Sequence, residues 1–170
     1  MSEEEVQETQ EISDEQLQVL LTEMKSKENM VLAVVAGLVS SLVGAGIWAA
    51  VTIATQYQIG WMAVGIGFLV GFSVRYLGKG ISAPFGIIGA AFALLGCLLG
   101  NFLTIAGFIG IEEGIGIFEV LEFLDYTQVP NIMISTFEPM DVLFYAIAVY
   151  EAYKFGFQQQ TLDPQGVLSS

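Results

Sequence analysis

The feature that most restricts how this chain can fold is the long stretch 29–111, which contains no acidic residue. The polar segment QYQ at 56–58 and the basic residues Arg75 and Lys79 interrupt it. Three uncharged, largely apolar runs remain, at 30–55, 59–74 and 81–111. As a helix, the first run would be roughly 39 Å long at about 1.5 Å per residue, which exceeds the roughly 30 Å hydrocarbon core of a bilayer. Each run is therefore expected to span a membrane as a helix.

A fourth apolar segment, "MDVLFYAIAVYEAYKFGF" at 140–157, carries Glu151 and Lys154 toward its end. Its uncharged core at 142–150 is short, but the flanking aromatic residues suit a membrane interface. We therefore predict an all-α integral membrane protein, a four-helix bundle. The predicted spans are about 30–55, 59–77, 81–111 and 140–157. A composition of 54% hydrophobic and 14% charged residues agrees with lipid as the main solvent.

The basic residues predict how the spans are oriented. With four spans, all five bases lie on one side of the membrane: Lys25, Lys27, Arg75, Lys79 and Lys154. The connections on the other side, 56–58 and 112–139, contain no base. Because Lys and Arg accumulate in cytoplasmic loops, both termini are expected to be cytoplasmic. Trp48 and Trp61 would then lie at the outer interface, as in an aromatic belt.

Two acidic segments lie outside the predicted spans. The segment 1–29 contains a predicted short amphipathic helix at 12–24, with apolar residues on one face: Leu17, Leu20, Leu21 and Met24. The outer connection, 112–139, mixes acids with apolar residues, and its first half is predicted to be an amphipathic helix at the outer surface. Each segment either rests on the protein itself or docks a protein partner. The polar tail, 158–170, is predicted to be disordered.

The glycines of the second run raise the question of a dinucleotide site. Gly65, Gly67 and Gly71 are spaced G-x-G-x-x-x-G inside one apolar run, whereas the dinucleotide fingerprint is G-x-G-x-x-G at a turn from strand to helix. Small residues four positions apart instead allow transmembrane helices to pack closely. The predicted helix-packing positions are Gly44, Gly67, Gly71, Gly96 and Gly100. Homo-oligomer contacts and a pore lining are alternative uses of these faces.

Several classes of function are excluded or disfavoured by composition. Histidine is absent and Cys97 is the single cysteine, which excludes His-containing triads and His-only or Cys-only metal sites. A net charge of −13 with five bases provides no basic patch for nucleic acid. The acids of 112–139 lack the pattern of a calcium-binding loop. We expect no enzyme activity, no cofactor, no metal and no nucleic-acid partner.

The fourth span carries the two ionisable residues that matter most for function. Glu151 is roughly 15 Å along a helix from Asp141, a distance that would place it in the inner half of the bilayer. Lys154 lies three residues further on, where it could pair with Glu151. One hypothesis is an interfacial ion pair without further role. The other is an intramembrane ion or proton site at Glu151 and Lys154, since ionisable groups within membranes are often functional.

Three segments carry a resemblance to known proteins: "IGWMAVGIGFLVGFSVRYLGKG", "LLGCLLGNFL" and "PMDVLFYAIAVYEAYKF". Over about residues 30–157, the chain resembles a recurring pattern in small, uncharacterised bacterial multi-pass membrane proteins. Some of those carry a soluble N-terminal extension or a zinc ribbon, and this N-terminus lacks the Cys pairs of a ribbon. The resemblance implies a location in a bacterial cytoplasmic membrane, and it supplies no active-site residues.

These observations favour a non-enzymatic scaffold or accessory subunit, because polar groups are few within the spans and the acidic segments are distinctive. The alternative is a small oligomeric channel or transporter that uses the glycine-rich spans and Glu151. A membrane enzyme acting on lipid would require Glu151, Asp141 and Arg75 to meet at one cavity.

Overall fold

The computed structural model describes residues 14–57 and 59–157, and the short segments 161–162 and 168–169. Seven helices account for most of it: α1 (Asp14–Ser26), α2 (Met30–Thr55), α3 (Trp61–Gly78), α4 (Ala83–Glu113), α5 (Ile117–Phe123), α6 (Val129–Thr136) and α7 (Pro139–Phe155). Near the C-terminus, the two-residue strands β1 (Thr161–Leu162) and β2 (Leu168–Ser169) pair in antiparallel fashion. The apolar region is all-helical, as predicted from the sequence.

Local sequence signals determine where the long helices begin and end. The Asn29 side chain accepts a hydrogen bond from the backbone N–H of Leu32 at 3.0 Å and so caps the start of α2. Pro84 lies in the first turn of α4, where its missing donor costs little. Gly114 ends α4 with a φ of 68°, a left-handed conformation that favours glycine. These signals set boundaries that the apolar pattern alone leaves open.

The directions of the helices follow from their contacts. Gly60, just before α3, and Gly67 and Gly71 within it approach Phe144, Ala148 and Ala152 in the same order, so α3 and α7 run parallel. Contacts of the α4 glycines Gly96 and Gly107 with residues of α2 likewise follow chain order, so α2 and α4 also run parallel. In the bundle, α3 and α4 pack against each other, and each of them contacts both α2 and α7. This alternation of up and down is the arrangement of consecutive membrane crossings.

The two parallel pairs differ in length. The helices of the long pair, α2 and α4, have 26 and 31 residues, whereas α3 and α7 have 18 and 17. At the end where α2 stops, Ile53 still contacts α4 at Gly107, whereas Tyr145, two turns into α7, bonds to the carbonyl oxygen of Cys97, ten residues earlier on α4. The long pair therefore projects beyond the short pair. In that region α6 faces α4, across a small apolar gap lined by Phe102, Ile105, Ile109, Leu124, Val129, Ile132 and Met133.

The predicted fourth span differs from the other three. Each of α2, α3 and α4 is long and apolar enough to cross a membrane. A helix of 17 residues such as α7 is only roughly 26 Å long, and a fourth candidate crossing arises only when α6 and α7 are taken together. The two helices meet at 100°. Glu138 precedes Pro139 and has an extended backbone, as residues before proline prefer, and this interrupts the helix.

The segments outside the long helices partly fall beyond the described residues. The predicted amphipathic helix at 12–24 corresponds to α1, but 1–13 and the side chain of Leu17 lie outside the described part. The outer connection forms α5 and α6. Of the tail predicted to be disordered, the described part contains only the backbone of β1 and β2 beyond residue 157.

Candidate functional site

A seam of small residues joins α7 to α3. A Cβ atom added at Gly67 would lie 2.5 Å from the carbonyl oxygen of Ala148, and one added at Gly71 would lie 3.1 Å from the Cα of Ala152. Both distances are too short for a larger residue beside a rigid backbone. The predicted packing positions Gly67 and Gly71 thus lie where two helix backbones are in direct contact.

The same face of α7 also meets α4. Added Cβ atoms at Gly86 and Gly89 would lie 2.7 Å from the carbonyl oxygens of Tyr153 and Ala152. On α7 itself, Ala148, Ala152 and Gly156 recur every four residues, as in other small-residue helix faces. This spacing of small residues is present in the sequence, but Glu151 and Lys154 lie among them and drew the interpretation toward an ion site. We refer to these contacts of α7 with α3 and α4 as the glycine seam.

The remaining predicted packing positions lie between α2, α3 and α4. A Cβ at Gly96 would be 2.9 Å from the side chain of Ile66 and 3.3 Å from the Cα of Ser41, and a Cβ at Gly44 would be 3.0 Å from Ile66. At Gly100 the close neighbour is the indole ring of Trp48, at 3.2 Å. Gly100 therefore makes room for a side chain, which differs from the backbone contact at Gly67.

The aromatic-belt pattern predicted Trp48 at the outer interface, and the structure shows its side chain turned away from the surface of the bundle. It is 1% exposed and points into the bundle, whereas Trp61 is largely exposed. The space above Gly100 lets the indole reach Tyr145 of α7, with ring centroids 6.3 Å apart in an edge-to-face arrangement. The absence of a side chain at Gly100 thus leaves room for the Trp48 indole between the helices.

Trp48 belongs to a group of buried polar side chains that we call the polar layer: Trp48, Thr52, Asn101, Thr104 and Tyr145. The Thr104 hydroxyl donates to the carbonyl oxygen of Gly100 at 2.8 Å, and the Tyr145 hydroxyl donates to that of Cys97 at 3.2 Å. Within the described residues, three atoms of the layer have no hydrogen-bond partner: Trp48 Nε1, Thr52 Oγ1 and Asn101 Nδ2. The Asn101 side chain lies close to the Tyr145 hydroxyl without the geometry of a hydrogen bond.

The polar layer was only partly visible in the sequence. Thr52, Asn101 and Thr104 are polar residues within largely apolar runs, a pattern typical of hydrogen bonds between helices. Thr104 instead bonds within its own helix, and Thr52 Oγ1 bonds to no described residue. The layer offers two N–H donors and a hydroxyl in a water-poor interior, where each unpaired group costs about 1–3 kcal/mol.

Glu151 and Lys154 lie toward the end of α7. Glu151 is half-buried, and its Oε2 atom is buried without a hydrogen-bond partner. Lys154 is exposed, and no ion pair joins the two side chains in the described part of the chain. The ion pair considered from the sequence is therefore not formed among the described residues, and the buried oxygen of Glu151 stays without a described partner.

The outer connection forms one end of the bundle, which we call the acidic end and define by α5 and α6. Its helical acids are Glu119 and Glu122 of α5, whereas the other acidic segment leads through α1 into α2 at the opposite end. In α5 the buried residue is Val120, which faces α4 near Gly110. The opposite face exposes two phenylalanines, Phe118 at 83% and Phe123 at 79%, beside the exposed residues Glu119 and Glu122. Glu119 Oε2 accepts a hydrogen bond from the backbone N–H of Gly116, and the two aromatic rings stay exposed among the described residues.

The basic residues lie at the other end, which we call the basic end and define by Lys27, Arg75, Lys79 and Lys154. Arg75 and Lys79 lie where α3 ends, and Lys154 lies where α7 ends beside the first turns of α4. Asp141, at the start of α7, therefore lies at the opposite end of the bundle from Arg75, so the two residues do not meet beside Glu151. In residues 14–57 and 59–157, no group of three His, Cys, Asp or Glu residues is arranged to hold a metal ion.

Comparison of the chain with protein families, with curated proteins and with solved structures finds no match.

Proposed function

We propose that this chain is a non-enzymatic scaffold or accessory subunit of a membrane assembly, and that the acidic end docks its partner. The observation that carries the proposal is the exposed face of α5. Phe118 and Phe123 there offer a large apolar area of the kind that anchors protein interfaces. The glycine seam supports the same function, because backbone contact between helices leaves little room for a solute path among α3, α4 and α7.

The chemistry of this face favours a protein partner over lipid. Exposed aromatic residues can also enter a bilayer, but Glu119 and Glu122 lie between the two phenylalanines on the same face. Transfer of carboxylates into lipid is costly. A partner with apolar pockets and basic residues would satisfy the aromatic rings and the carboxylates together.

We also propose four crossings with both termini in the cytoplasm, so that the acidic end faces outward. The gathering of bases at one end supports this orientation through the positive-inside rule. The membrane in question would be a bacterial cytoplasmic membrane, as the resemblance implies. In a Cys97→Ala background, an impermeant maleimide applied to intact cells should label Thr127→Cys and should label Ser26→Cys only after permeabilisation. The reverse pattern would overturn the orientation.

The partner is tested by co-purification from the native membrane in mild detergent, with masses determined by light scattering. The wild type should elute with a stoichiometric partner, and the double variant Phe118→Ser with Phe123→Ser should elute without it. The matched control is Val19→Ser with Leu20→Ser, which changes two exposed apolar residues on α1 at the other end. Elution of the wild type without any partner, or equal loss in both double variants, would contradict docking at α5.

A second candidate function is a small oligomeric channel or transporter, and the unpartnered carboxylate of Glu151 favours it. If Glu151 binds a cation or proton during transport, Glu151→Gln should abolish ion flux through the protein in liposomes. Lys154→Gln is the matched control, because it alters charge one turn away at an exposed position. Flux that survives Glu151→Gln would remove this candidate, and robust flux that Glu151→Gln abolishes would replace the scaffold proposal.

A further inference from the structure

A cleft of about 630 Å³ lies at the basic end, outside the sites considered above. It is lined by Lys27 from the connection after α1, by Arg75 near the end of α3 and by Lys79 just after it, together with Met24, Phe72 and Tyr76. Three of the five basic residues of a chain with net charge −13 thus converge on one cavity, and none of the described residues that line it is acidic. This cluster of positive charge contrasts with the negative net charge of the whole chain.

The end of α3 places two of these cations, Arg75 and Lys79, close to each other. Arg75 and Lys79 are four residues apart, and Lys79 follows the last turn of α3 in a left-handed conformation, with a φ of 50°. Like charges at this spacing repel each other on a helix surface. None of the three cations forms an ion pair with a carboxylate in the described part of the chain. An anion bound in the cleft would relieve this repulsion.

Lys27 reaches the cleft because the connection between α1 and α2 is fixed to the turn between α3 and α4. The backbone N–H of Asn29 donates to the carbonyl oxygen of Gly78 at 2.8 Å. One oxygen of Glu28, Oε1, accepts from the N–H groups of Ile81 and Ser82 at 2.8 and 2.9 Å and from the Ser82 hydroxyl at 2.6 Å. The nearest carboxylate in sequence is therefore bound to the start of α4, and it forms no ion pair with Lys27.

An aromatic stripe connects the cleft to the lipid-facing surface. Phe72 lines the cleft and packs against Phe68, one turn earlier on α3, and against Phe155 of α7, with ring centroids 6.2 and 5.2 Å apart. Phe72 is 50% exposed, and Phe68 is also exposed. Both lie on a helix long and apolar enough to cross a membrane. A ligand in the cleft would thus meet cations at one side and an apolar surface at the other.

We propose that this cleft binds the phosphate of an anionic phospholipid, with an acyl chain along the stripe of Phe68, Phe72 and Phe155. Arg75 presents a guanidinium that can grip two phosphate oxygens, and the lysines add positive charge from both sides. Basic pockets between membrane helices are suited to anionic headgroups. The phosphate chemistry would equally suit a soluble phosphate ester, but the aromatic stripe favours the lipid. The proposal is independent of the scaffold function.

The experiment measures lipid binding to the purified full-length protein in mild detergent by native mass spectrometry, with phosphatidylglycerol as the anionic lipid and phosphatidylcholine as the neutral one. Arg75→Gln with Lys79→Gln should weaken phosphatidylglycerol binding roughly tenfold or more and leave phosphatidylcholine binding unchanged. The matched control is Lys25→Gln with Lys154→Gln, which removes the same charge from exposed residues that do not line the cleft. We expect this control to change binding less than about twofold.

Two further measurements separate the alternatives. Phe72→Ser should weaken lipid binding, and soluble glycerol 3-phosphate should compete poorly. Glycerol 3-phosphate that binds as tightly as the lipid, unaffected by Phe72→Ser, would overturn the lipid assignment in favour of a soluble ligand. Equal weakening in both charge-removing doubles would overturn the proposal, because it would show diffuse attraction without a site. An unchanged melting temperature in each variant establishes that the fold is intact.

Discussion

The two halves of the bundle are held together by different means. From its middle to the basic end, α7 lies in backbone contact with α3 and α4 through the glycine seam, and Glu28 satisfies the donors at the start of α4. Toward the acidic end, the interior is the polar layer, in which three buried atoms have no partner among the described residues. There α6 and α7 meet at 100° and α5 exposes aromatic rings. Three of the four buried side-chain atoms without a described partner lie in the half toward the acidic end, and the fourth, Glu151 Oε2, lies on α7 beside the glycine seam.

This difference suggests a division of labour. Regions with few unsatisfied groups and close packing resist local opening, whereas regions with unpaired groups and exposed apolar surface are more readily changed by binding. The acidic end is therefore the part of the molecule suited to a protein partner. The seam and the basic end would hold it in a fixed position relative to the membrane.

The largest expected change in stability is at the glycine seam. Gly67→Ala should destabilise the protein by about 3 kcal/mol, because the added Cβ would lie 2.5 Å from a backbone oxygen of Ala148. Thermal unfolding in detergent measures it. Gly65→Ala, two residues away on the same helix, meets no atom within 4 Å and should be neutral or stabilising by up to about 1 kcal/mol. Similar melting temperatures for the two variants would mean that the seam does not order this half.

The next effect concerns the basic end. Glu28→Ala should cost about 1–3 kcal/mol, because two backbone donors at Ile81 and Ser82 lose their acceptor. Glu28→Gln keeps a side-chain oxygen and should recover part of the loss. Glu23→Ala serves as the exposed control and should change stability by less than about 0.5 kcal/mol. If Glu23→Ala lowered the free energy of unfolding as much as Glu28→Ala, the cause would be the change in net charge and not the lost hydrogen bonds.

A smaller effect of opposite sign is expected in the polar layer. Thr52→Val removes a hydroxyl without a described partner and keeps the shape, so it should be neutral or stabilising by up to about 1 kcal/mol. Thr104→Val removes a hydroxyl that donates to Gly100 and should destabilise by about 1 kcal/mol. Chemical denaturation of both variants measures the contrast. Equal destabilisation would show that the Thr52 hydroxyl is satisfied in the native membrane.

The smallest effect lies in the exposed connection before α6. The pKa of Asp125 is lowered from its ordinary value of 3.8, because its carboxylate accepts hydrogen bonds from the hydroxyl and the backbone N–H of Thr127. The contribution of this group to stability is present above pH 3.8 and is lost as the pH falls through the lowered pKa. Thr127→Val should raise the pKa toward 3.8, as measured by NMR titration. An unchanged pKa would show that the hydroxyl contributes nothing.

The sequence by itself determined the features that follow from lipid as the solvent, namely the long helices and the end at which the bases lie. Long uncharged runs in lipid must pair their backbone groups internally, so the helices at 30–55 and 83–113 agree with the predicted spans to within two residues. The gathering of bases at one end follows from the same runs, because Lys25, Lys27, Arg75 and Lys79 flank them. Glycine spacing also predicted which faces pack closely.

The tertiary structure decided which groups meet. The partners of Gly67 and Gly71 on α7, the entry of Trp48 into the interior above Gly100 and the arrival of Lys27 beside Arg75 all depend on contacts between residues distant in sequence. Such contacts depend on the relative position of whole helices, which no local pattern specifies. The 100° bend between α6 and α7 could not be predicted from the sequence either. Apolar composition indicates which residues suit lipid, but it does not indicate the direction in which the chain runs.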